Sequence, residues 1–352
     1  MAIVINGSGT VTGLSVGGLP DGTVDAGTLA TNSVDSAELV DGAVDDSHMA
    51  SISGRKNILI NGDYRISQRG DYTSATSVTN GAYLLDRAKN YLVGVTGTAQ
   101  QLTNQVVNGT YENTWKYVAT SSASGRIGSY QLVEDWYKGE TLTLSAWVKS
   151  NNANARIVVY DGATNTSSST HTGGGAWEKL TVTATQSASA GQLYVYSAII
   201  SSSVGSVSIS SSDYIETAMF QLERGSTATN FEHRSYGEEL ALCQRYYQFT
   251  GRNTVFAGFA NGSNQVQFSP PVSVALRASP TISWGEGSGN HTALKYNGYQ
   301  DGSDSNIPTA INYIVNGSNV HMQLNGFSSN LTDMQITNLY LGGKSLAMEC
   351  EL

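Results

Sequence analysis

The stretch TLTLSAWVKS, residues 141–150, decides the fold class because its polarity changes with a period of two. One set of side chains is apolar and consists of Leu142, Leu144, Ala146 and Val148. The set between them is mostly polar and consists of Thr141, Thr143, Ser145 and Trp147. A period of two places each set on one face of a β-strand. The segment therefore predicts a strand with one face in a hydrophobic core.

Segments of the same character recur along the chain, and Gly, Ser and Asn turns separate them. In the middle of the chain they are ARIVVYDG (155–162), WEKLTVTAT (177–185) and QLYVYSAII (192–200). Strands that follow one another without helices are typical of an antiparallel sandwich or jelly roll. We therefore predict an all-β chain, with a jelly-roll β-sandwich over residues 55–235 and a C-terminal β-sandwich-like domain over residues 251–352.

One segment departs from this pattern. In RSYGEELALCQRYYQFTG (234–251), acidic residues come first and apolar residues follow at helical spacing, including Leu242, Cys243 and Tyr246. Such spacing gives a helix one apolar face that packs on a sheet. We predict a short helical connector over residues 236–250.

Three tandem decapeptides precede the β-rich part: DGTVDAGTLA (21–30), TNSVDSAELV (31–40) and DGAVDDSHMA (41–50). Each has Val-Asp at its fourth and fifth positions and a large apolar residue at its ninth. These apolar residues are too sparse for a core within one chain, but stacked repeats from several chains make a continuous seam. A disordered polar linker is the alternative that the composition allows. The strict spacing favours an oligomeric stalk over residues 21–54, with a seam formed by Val24, Leu29, Val34, Leu39, Val44 and Met49.

Composition and charge exclude several classes of function. The chain has 352 residues, of which 13% are charged, about half of the typical share of about 25%. The first 54 residues contain seven acidic residues and no Lys or Arg, while the net charge of the whole chain is −9. The remainder is therefore nearly neutral, which argues against nucleic-acid binding. No apolar run is long enough for membrane insertion, and the first residues lack the features of a secretion signal.

Three patches resemble phage tail-fibre and receptor-binding proteins. KNILINGDYRISQRG (56–70) is similar to the opening of a jelly-roll module of such fibres, which is akin to carbohydrate-binding modules. IETAMFQLERGSTATNFEHRSYGEELALCQRYYQF (215–249) is similar to the end of that module and the segment after it. VSVALRASPTISW (272–284) resembles a strand of their C-terminal domains, and the decapeptides resemble their stalk repeats.

The resemblance implies a structural virion protein that is made in the host cytoplasm and binds host-surface glycans during adsorption. It implies a homotrimer in which residues 1–20 dock on a tail or capsid protein and residues 251–352 form the receptor-binding tip. A head fibre or capsid decoration protein is the alternative within this class, because the docking arm is short. A polysaccharide-degrading tailspike is the rival from another class.

Catalytic motifs are weak in this sequence, and we expect no enzymatic activity. The segment Gly13-Leu14-Ser15-Val16-Gly17 matches a nucleophile elbow but lacks the strand and helix that the elbow needs. Glycoside cleavage needs two carboxylates that face one sugar. The pairs Glu134-Asp135 and Glu238-Glu239 are adjacent in sequence, and adjacent residues on a strand point to opposite faces.

Exposed aromatic residues are the better candidates for a site, because sugars stack on aromatic rings and bond to polar side chains. At least half of the middle-domain candidates belong to the core on the alternative interpretation, as Trp147 does. The middle-domain candidates are Tyr91, Trp115, Trp136, Tyr137, Tyr160 and Trp177, and the candidates in the loop KYNGYQDGSDSN are Tyr296, Tyr299 and Asp301. Since the C-terminal domain is farthest from the arm, we expect its loop to meet the host first, although a solvated loop without a ligand is equally compatible.

A structural Ca²⁺ is also implied by the resemblance, because related modules often hold one near the Asn-Gly motif and the last strand. Asn61, Asp63, Asp213 and Glu216 offer the hard oxygen ligands that Ca²⁺ prefers. A backbone turn at Asn61-Gly62-Asp63 explains the motif without a metal and is the preferred interpretation. No other cofactor is expected.

We predict that the six seam residues face an inter-chain axis. Sedimentation of the full-length chain at micromolar concentration is expected to give a trimer. Replacing Val24, Val34 and Val44 together by Asn places unpaired amides in the seam and is expected to weaken the trimer. A monomeric unaltered chain would show that the repeats do not associate.

Overall fold

A computed structural model of the protein describes residues 56–251 without interruption. Near the N-terminus it describes two short strands, β1 (Val4–Ile5) and β2 (Val11–Thr12), which pair antiparallel. In the C-terminal part it describes residues 255–260, 265–284, 292–295, 310–316, 319–325, 336–340 and 346–352. The chain divides into two compact units, Met1–Gly54 and Arg55–Leu352. The decapeptides and all six seam residues lie outside the described residues.

Twelve strands build the middle of the chain, and every pair is antiparallel. They are β3 (Thr76–Ser77), β4 (Lys89–Val93), β5 (Gly97–Val107), β6 (Thr110–Ala119), β7 (Ala123–Leu132), β8 (Thr141–Ser150), β9 (Ala155–Tyr160), β10 (Asn165–Ser167), β11 (Trp177–Thr185), β12 (Tyr194–Ile199), β13 (Val207–Ile209) and β14 (Tyr214–Arg224).

These strands form two sheets. The first sheet has the order β11-β8-β14-β6-β5-β3, and the second has the order β10-β9-β12-β7-β13, with β4 also paired to β7. One hydrophobic core contains residues of both sheets, such as Leu144 of β8 and Ile157 of β9, so the sheets pack face to face. The prediction of an all-β sandwich is confirmed for this part of the chain.

Strand β8 spans the ten residues that the polarity pattern predicts. Its apolar set is buried in the core, as predicted. Thr143 and Ser145, on the opposite face, are buried as well. The segment after β14 contacts this side at Thr143, whose hydroxyl donates to the carbonyl of Gly225 at 2.7 Å. The polar side of this strand is therefore only partly open to solvent.

The predicted connector contains a helix in its first half. Helix α1 (Tyr236–Gln244) begins after Ser235, whose hydroxyl accepts a hydrogen bond from the N–H of Glu238 at 3.3 Å. The second half is strand β15 (Tyr247–Phe249), which pairs with a strand from the end of the chain. The prediction of helix up to residue 250 is therefore wrong in its second half, because pairing with a distant strand overrides the local pattern. Among the residues that the structure describes, no helix has the length and apolar character that crossing a membrane requires.

The C-terminal part contains two further antiparallel sheets. Their orders are β15-β23-β18 and β19-β22-β16-β17-β21-β20. The remaining strands are β16 (Val255–Ala260), β17 (Gln265–Phe268), β18 (Thr281–Trp284), β19 (Thr292–Lys295), β20 (Ala310–Asn316), β21 (Asn319–Asn325), β22 (Ile336–Tyr340) and β23 (Leu346–Glu349).

A cluster of arginines and tyrosines joins the sandwich to the three-stranded sheet. The guanidinium of Arg87, buried in the sandwich, lies 3.7 Å from the ring centroid of Tyr246 and forms an ion pair with Glu351. Arg69 lies 3.9 Å from the ring centroid of Tyr247 and is 3.0 Å from the same carboxylate. Stacked and paired arginines of this kind are well suited to buried contacts. Residues 55–352 are accordingly one unit.

Because of core packing, the same Val→Ala substitution is expected to lower the free energy of unfolding by different amounts at two positions. Val148 is buried in the sandwich core, whereas Val106 is 58% exposed on β5. We expect Val148→Ala to lower the free energy of unfolding by about 2 kcal/mol, since it removes buried apolar contact. Val106→Ala is the control and is expected to change it by less than about 0.5 kcal/mol. Urea unfolding measures both, and equal losses would contradict the assignment of the core.

Candidate functional site

The second sheet carries a row of tyrosines on the side that faces away from the core. Five rings share this side: Tyr91 from β4, Tyr130 from β7, Tyr160 from β9, and Tyr194 and Tyr196 from β12. We call these five residues the tyrosine face. In β12 the alternation is visible directly, because Val195 and Ile199 are in the core while the tyrosines point outward.

Strand register brings the rings together. Tyr130 is opposite Tyr196 in the β7–β12 pair, and Tyr194 is opposite Tyr160 in the β12–β9 pair. The ring centroids of Tyr91 and Tyr196 are 5.4 Å apart, as are those of Tyr130 and Tyr196. Tyr194 continues the row, with centroids 5.7 Å from Tyr130 and 5.9 Å from Tyr160. These distances lie in the usual range for aromatic pairs, so the rings form one strip across four strands.

The strip is partly exposed and stands on an apolar base. Tyr196 is 9% exposed, and the other four rings are half-buried. Val158, Ala198 and Ile200 are buried beneath them. Burial raises the pKa of the Tyr196 hydroxyl. This phenol therefore stays protonated at neutral pH and offers both a donor and an acceptor.

Two arginines stand at one end of the strip. A guanidinium nitrogen of Arg126, on β7, donates to the hydroxyl of Tyr91, and the Tyr91 hydroxyl donates to the carbonyl of Val204 at 3.4 Å. Arg156, on β9, is opposite Ala198 in the β9–β12 pair. The site thus combines half-exposed rings, phenolic hydroxyls and cationic side chains on one surface.

Two of the predicted aromatic residues, Tyr91 and Tyr160, belong to the tyrosine face. Trp115 is 1% exposed, so its interpretation as a candidate site residue is wrong, because its ring fills the core between the sheets. Tyr296, Tyr299 and Asp301, the predicted tip residues, lie outside the described residues.

The other three predicted aromatic residues lie on different surfaces. Trp136 and Tyr137 follow β7, and Trp177 begins β11 in the first sheet. Trp136 is 45% exposed, with the ammonium of Lys138 at 5.0 Å from its ring, and Lys149 lies 5.8 Å from the ring of Trp177. The structure does not bring them into the strip.

Sequence reasoning missed Tyr130, Tyr194 and Tyr196. The signal for two of them is present in QLYVYSAII, where Tyr194 and Tyr196 are two residues apart and therefore share one face of a strand. The arginines were also missed, because their proximity to the rings depends on strand pairing.

Asn61 and Asp63, two of the predicted calcium ligands, lie in the turn that precedes β3. The side-chain amide of Asn61 donates to the carbonyls of Ile66 and Asp86, at 2.9 Å each. Asp63 forms an ion pair with Arg65. These contacts explain the Asn-Gly motif as a turn that is stabilised by hydrogen bonds and an ion pair of its own side chains.

The other two predicted calcium ligands also have protein partners. Asp213 accepts a hydrogen bond from the Asn152 amide at 2.7 Å, and Glu216 accepts one from the Thr114 hydroxyl at 2.7 Å. In the part of the chain that the structure describes, no group of three or more His, Cys, Asp or Glu side chains is arranged to hold a metal ion. A calcium site built from the four residues stays a prediction.

A cavity of about 200 Å³ lies beside the loop that follows β7. Its lining includes Glu134, Tyr137, Arg245 and Tyr246. The carboxylate of Glu134 accepts hydrogen bonds from Arg245 at 3.2 Å and from the Tyr246 hydroxyl at 2.9 Å. Three polar groups of this cavity are thus engaged with one another.

The sequence matches no protein-family model and no curated protein. Solved structures do resemble the fold. One is a candidate sugar-binding protein from Bacteroides thetaiotaomicron VPI-5482, with 12% identity, a TM-score of 0.28, and coverage of 48% of this chain and 100% of that chain.

Two others contain CBM22 modules. The CBM22-1–GH10 modules of Clostridium thermocellum endo-1,4-β-D-xylanase 10B, solved with xylohexaose, share 17% identity and a TM-score of 0.28, over 47% of this chain and 30% of that chain. The CBM22-1–CBM22-2 tandem of Paenibacillus barcinonensis Xyn10C shares 13% identity and a TM-score of 0.28, over 81% and 97%.

The floor of the tyrosine face depends on a glycine. Gly128 is opposite Tyr91 on one side and Ala198 on the other. A Cβ at this position would lie 2.3 Å from the carbonyl oxygen of Ser197 and 2.5 Å from the Cβ of Ala198. Strands β7 and β12 therefore approach as closely as they do only because this side chain is absent.

We expect Gly128→Ala to destabilise the protein by roughly 1–3 kcal/mol, since overpacking forces the two strands apart. Gly191→Ala is the matched control, because a Cβ there meets no atom within 4 Å. Its expected effect is below about 0.5 kcal/mol. Chemical unfolding of both variants is the measurement, and a Gly128 variant as stable as the control would contradict the close strand approach.

Proposed function

We propose that the protein is a non-enzymatic fibre protein of a bacteriophage and that its tyrosine face binds host-surface glycans. The observation that carries the binding site is the strip of five tyrosines, four of them half-buried, on the outer side of the second sheet. The C–H faces of sugars pack on aromatic rings, while sugar hydroxyls bond to phenols and other polar groups.

A second copy of the chain is the rival occupant of this surface. Tyr and Arg are themselves enriched in protein–protein interfaces, so residue type alone does not decide between the two occupants. Arg126 and Arg156 stand beside the tyrosine face. Sedimentation decides between them: a Tyr194→Ala variant that keeps the oligomeric state of the unaltered chain supports a sugar ligand, and one that dissociates would assign the surface to a subunit contact.

The role in a virion is supported by the sequence resemblance. In this proposal, residues 1–20 dock on a tail or capsid protein, and the decapeptide stalk joins three copies of the chain. A homotrimer strengthens weak sugar contacts by avidity, on the order of 10²–10⁴-fold. A head fibre or capsid decoration protein would use the same parts at another position on the particle.

The receptor-binding tip proposed from the sequence stays a second candidate site within the same protein. Its residues are Tyr296, Tyr299 and Asp301. The tyrosine face and the tip are separable by mutation, because they lie on different parts of the chain.

We predict that Tyr194→Ala weakens binding to host cells or to their purified surface glycan by about tenfold or more, as loss of a central aromatic contact does. Tyr111→Ala is the matched control, since Tyr111 is 76% exposed on β6 and outside the strip. Both variants must sediment like the unaltered protein. Normal binding by the Tyr194 variant, with loss in a Tyr296→Ala, Tyr299→Ala variant, would move the site to the tip.

Incubation with host polysaccharide tests the absence of catalysis. We expect no increase in reducing sugar over a heat-inactivated control. Release of reducing sugar would favour the polysaccharide-degrading tailspike and overturn the non-enzymatic assignment.

A further inference from the structure

Two arginines beside the tyrosine face have hydrogen-bonding capacity that the described part of the chain does not use. Arg126 lies two residues before Gly128 on β7, and Arg156 lies opposite Ala198 on β9. In the part of the chain that the structure describes, the Nε atoms of both guanidiniums are buried and have no hydrogen-bond partner.

Among the described residues, the Nε atoms of Arg69, Arg87 and Arg234 are unpaired as well, but those guanidiniums form ion pairs with carboxylates of the chain. Within the same described part Arg126 and Arg156 form no ion pair, so their unused donors are available to an anionic ligand.

Charge compensation is missing as well. Burial lowers the pKa of Arg156, and no neighbouring charge opposes that effect. A guanidinium nevertheless stays protonated in proteins, so Arg156 is a half-buried cation that has no anionic partner among the described residues.

All charged side chains at the outward positions of the second sheet are positive. The outward positions of β4, β7, β9 and β12 contain no Asp or Glu. They contain three basic residues, Lys89, Arg126 and Arg156. At the β4 edge, Lys89 donates to a Leu352 oxygen at 3.3 Å, and the carboxylate of Glu351 forms ion pairs with Arg69 and Arg87. An anion that approaches the strip therefore meets cations and no repelling carboxylate from these strands.

The cationic side chains are also unevenly distributed along the strip. Tyr91, Gly128, Ala198 and Arg156 occupy one row across four strands. Neighbouring strands are about 4.8 Å apart, so Arg156 is about 10 Å from Gly128, within reach of its long side chain. The guanidinium of Arg126 lies 5.6 Å from the ring centroid of Tyr91 in this row, while the Tyr160–Tyr194 pair lies in a different row. One end of the strip is cationic, and the other end is aromatic and neutral.

We propose that the tyrosine face selects glycans that carry an acidic sugar, with Arg156 and Arg126 holding its anionic group and Tyr160 and Tyr194 stacking on a neighbouring sugar. This inference rests on the proposed glycan binding and names the class of ligand. Guanidinium groups match the geometry of carboxylate and phosphate oxygens and form strong charge-assisted hydrogen bonds with them.

The test compares acidic and neutral oligosaccharides on one array, including uronic-acid oligomers and their methyl esters, which keep the shape and remove the charge. We expect the protein to retain acidic glycans, and Arg156→Gln to weaken that binding by roughly tenfold. Methyl esterification is expected to cause a similar loss, and the two changes together are expected to cost little more than either alone, because they remove one interaction. Binding of the acidic glycan should also weaken as salt rises.

Three controls keep the result interpretable. Arg224→Gln removes a guanidinium that is 62% exposed on the first sheet, and its binding should be unchanged. Arg156→Lys keeps the charge but loses the planar fork, so it should retain a preference for acidic glycans with lower affinity. Unfolding of each variant at the same denaturant concentration as the unaltered protein establishes that the fold is intact.

The outcomes separate this inference from the proposed function. Equal binding of neutral and esterified glycans, unchanged by Arg156→Gln but lost in Tyr194→Ala, would overturn the acidic specificity and leave glycan binding in place. Binding of no glycan of either class by the unaltered protein would overturn both.

Discussion

The sandwich depends on one buried ion pair, which holds the segment before its first strand against the segment after its last strand. Arg234 and Glu239 have side chains that are each 4% exposed and lie 3.3 Å apart. Arg234 also donates to the carbonyl of Leu59 at 3.0 Å, and Glu239 accepts from the N–H of Asn61 at 2.5 Å. Burial raises the pKa of Glu239, while the Asn61 N–H and Arg234 oppose that rise. Removing Arg234 would leave the buried carboxylate of Glu239 without its ion pair, and breaking a buried pair in this way is strongly destabilising.

The sequence predicts the strands well because their pattern is local. Residues 141–150 and 177–185 are strands from end to end, since alternation of polarity alone sets their boundaries and faces. Strand β15 was not predictable in this way. Its partner is β23, about a hundred residues later in the chain, and a local pattern carries no information on so distant a pairing.

The site was only partly predictable for the same physical reason. The sequence identified Tyr91 and Tyr160 but placed them with tryptophans that lie on other surfaces. Whether an aromatic side chain faces the core or the solvent depends on strand register, which put Trp115 between the sheets and Tyr196 on the outer side. The composition shows that the chain contains aromatic residues, but strand pairing determines which of their rings come into contact.

The contacts between the sandwich and the C-terminal part hold the edge of the tyrosine face in place. Strand β4 carries Tyr91, and the ammonium of Lys89 on the same strand donates to the carbonyl of Leu352 at 3.3 Å. The hydroxyl of Tyr83 donates to the same carbonyl at 3.3 Å. A surface whose edge strand is held in this way loses less conformational freedom when a ligand binds, which improves affinity without any new contact. The residues that fuse the sandwich with the C-terminal part thus also support the proposed binding surface.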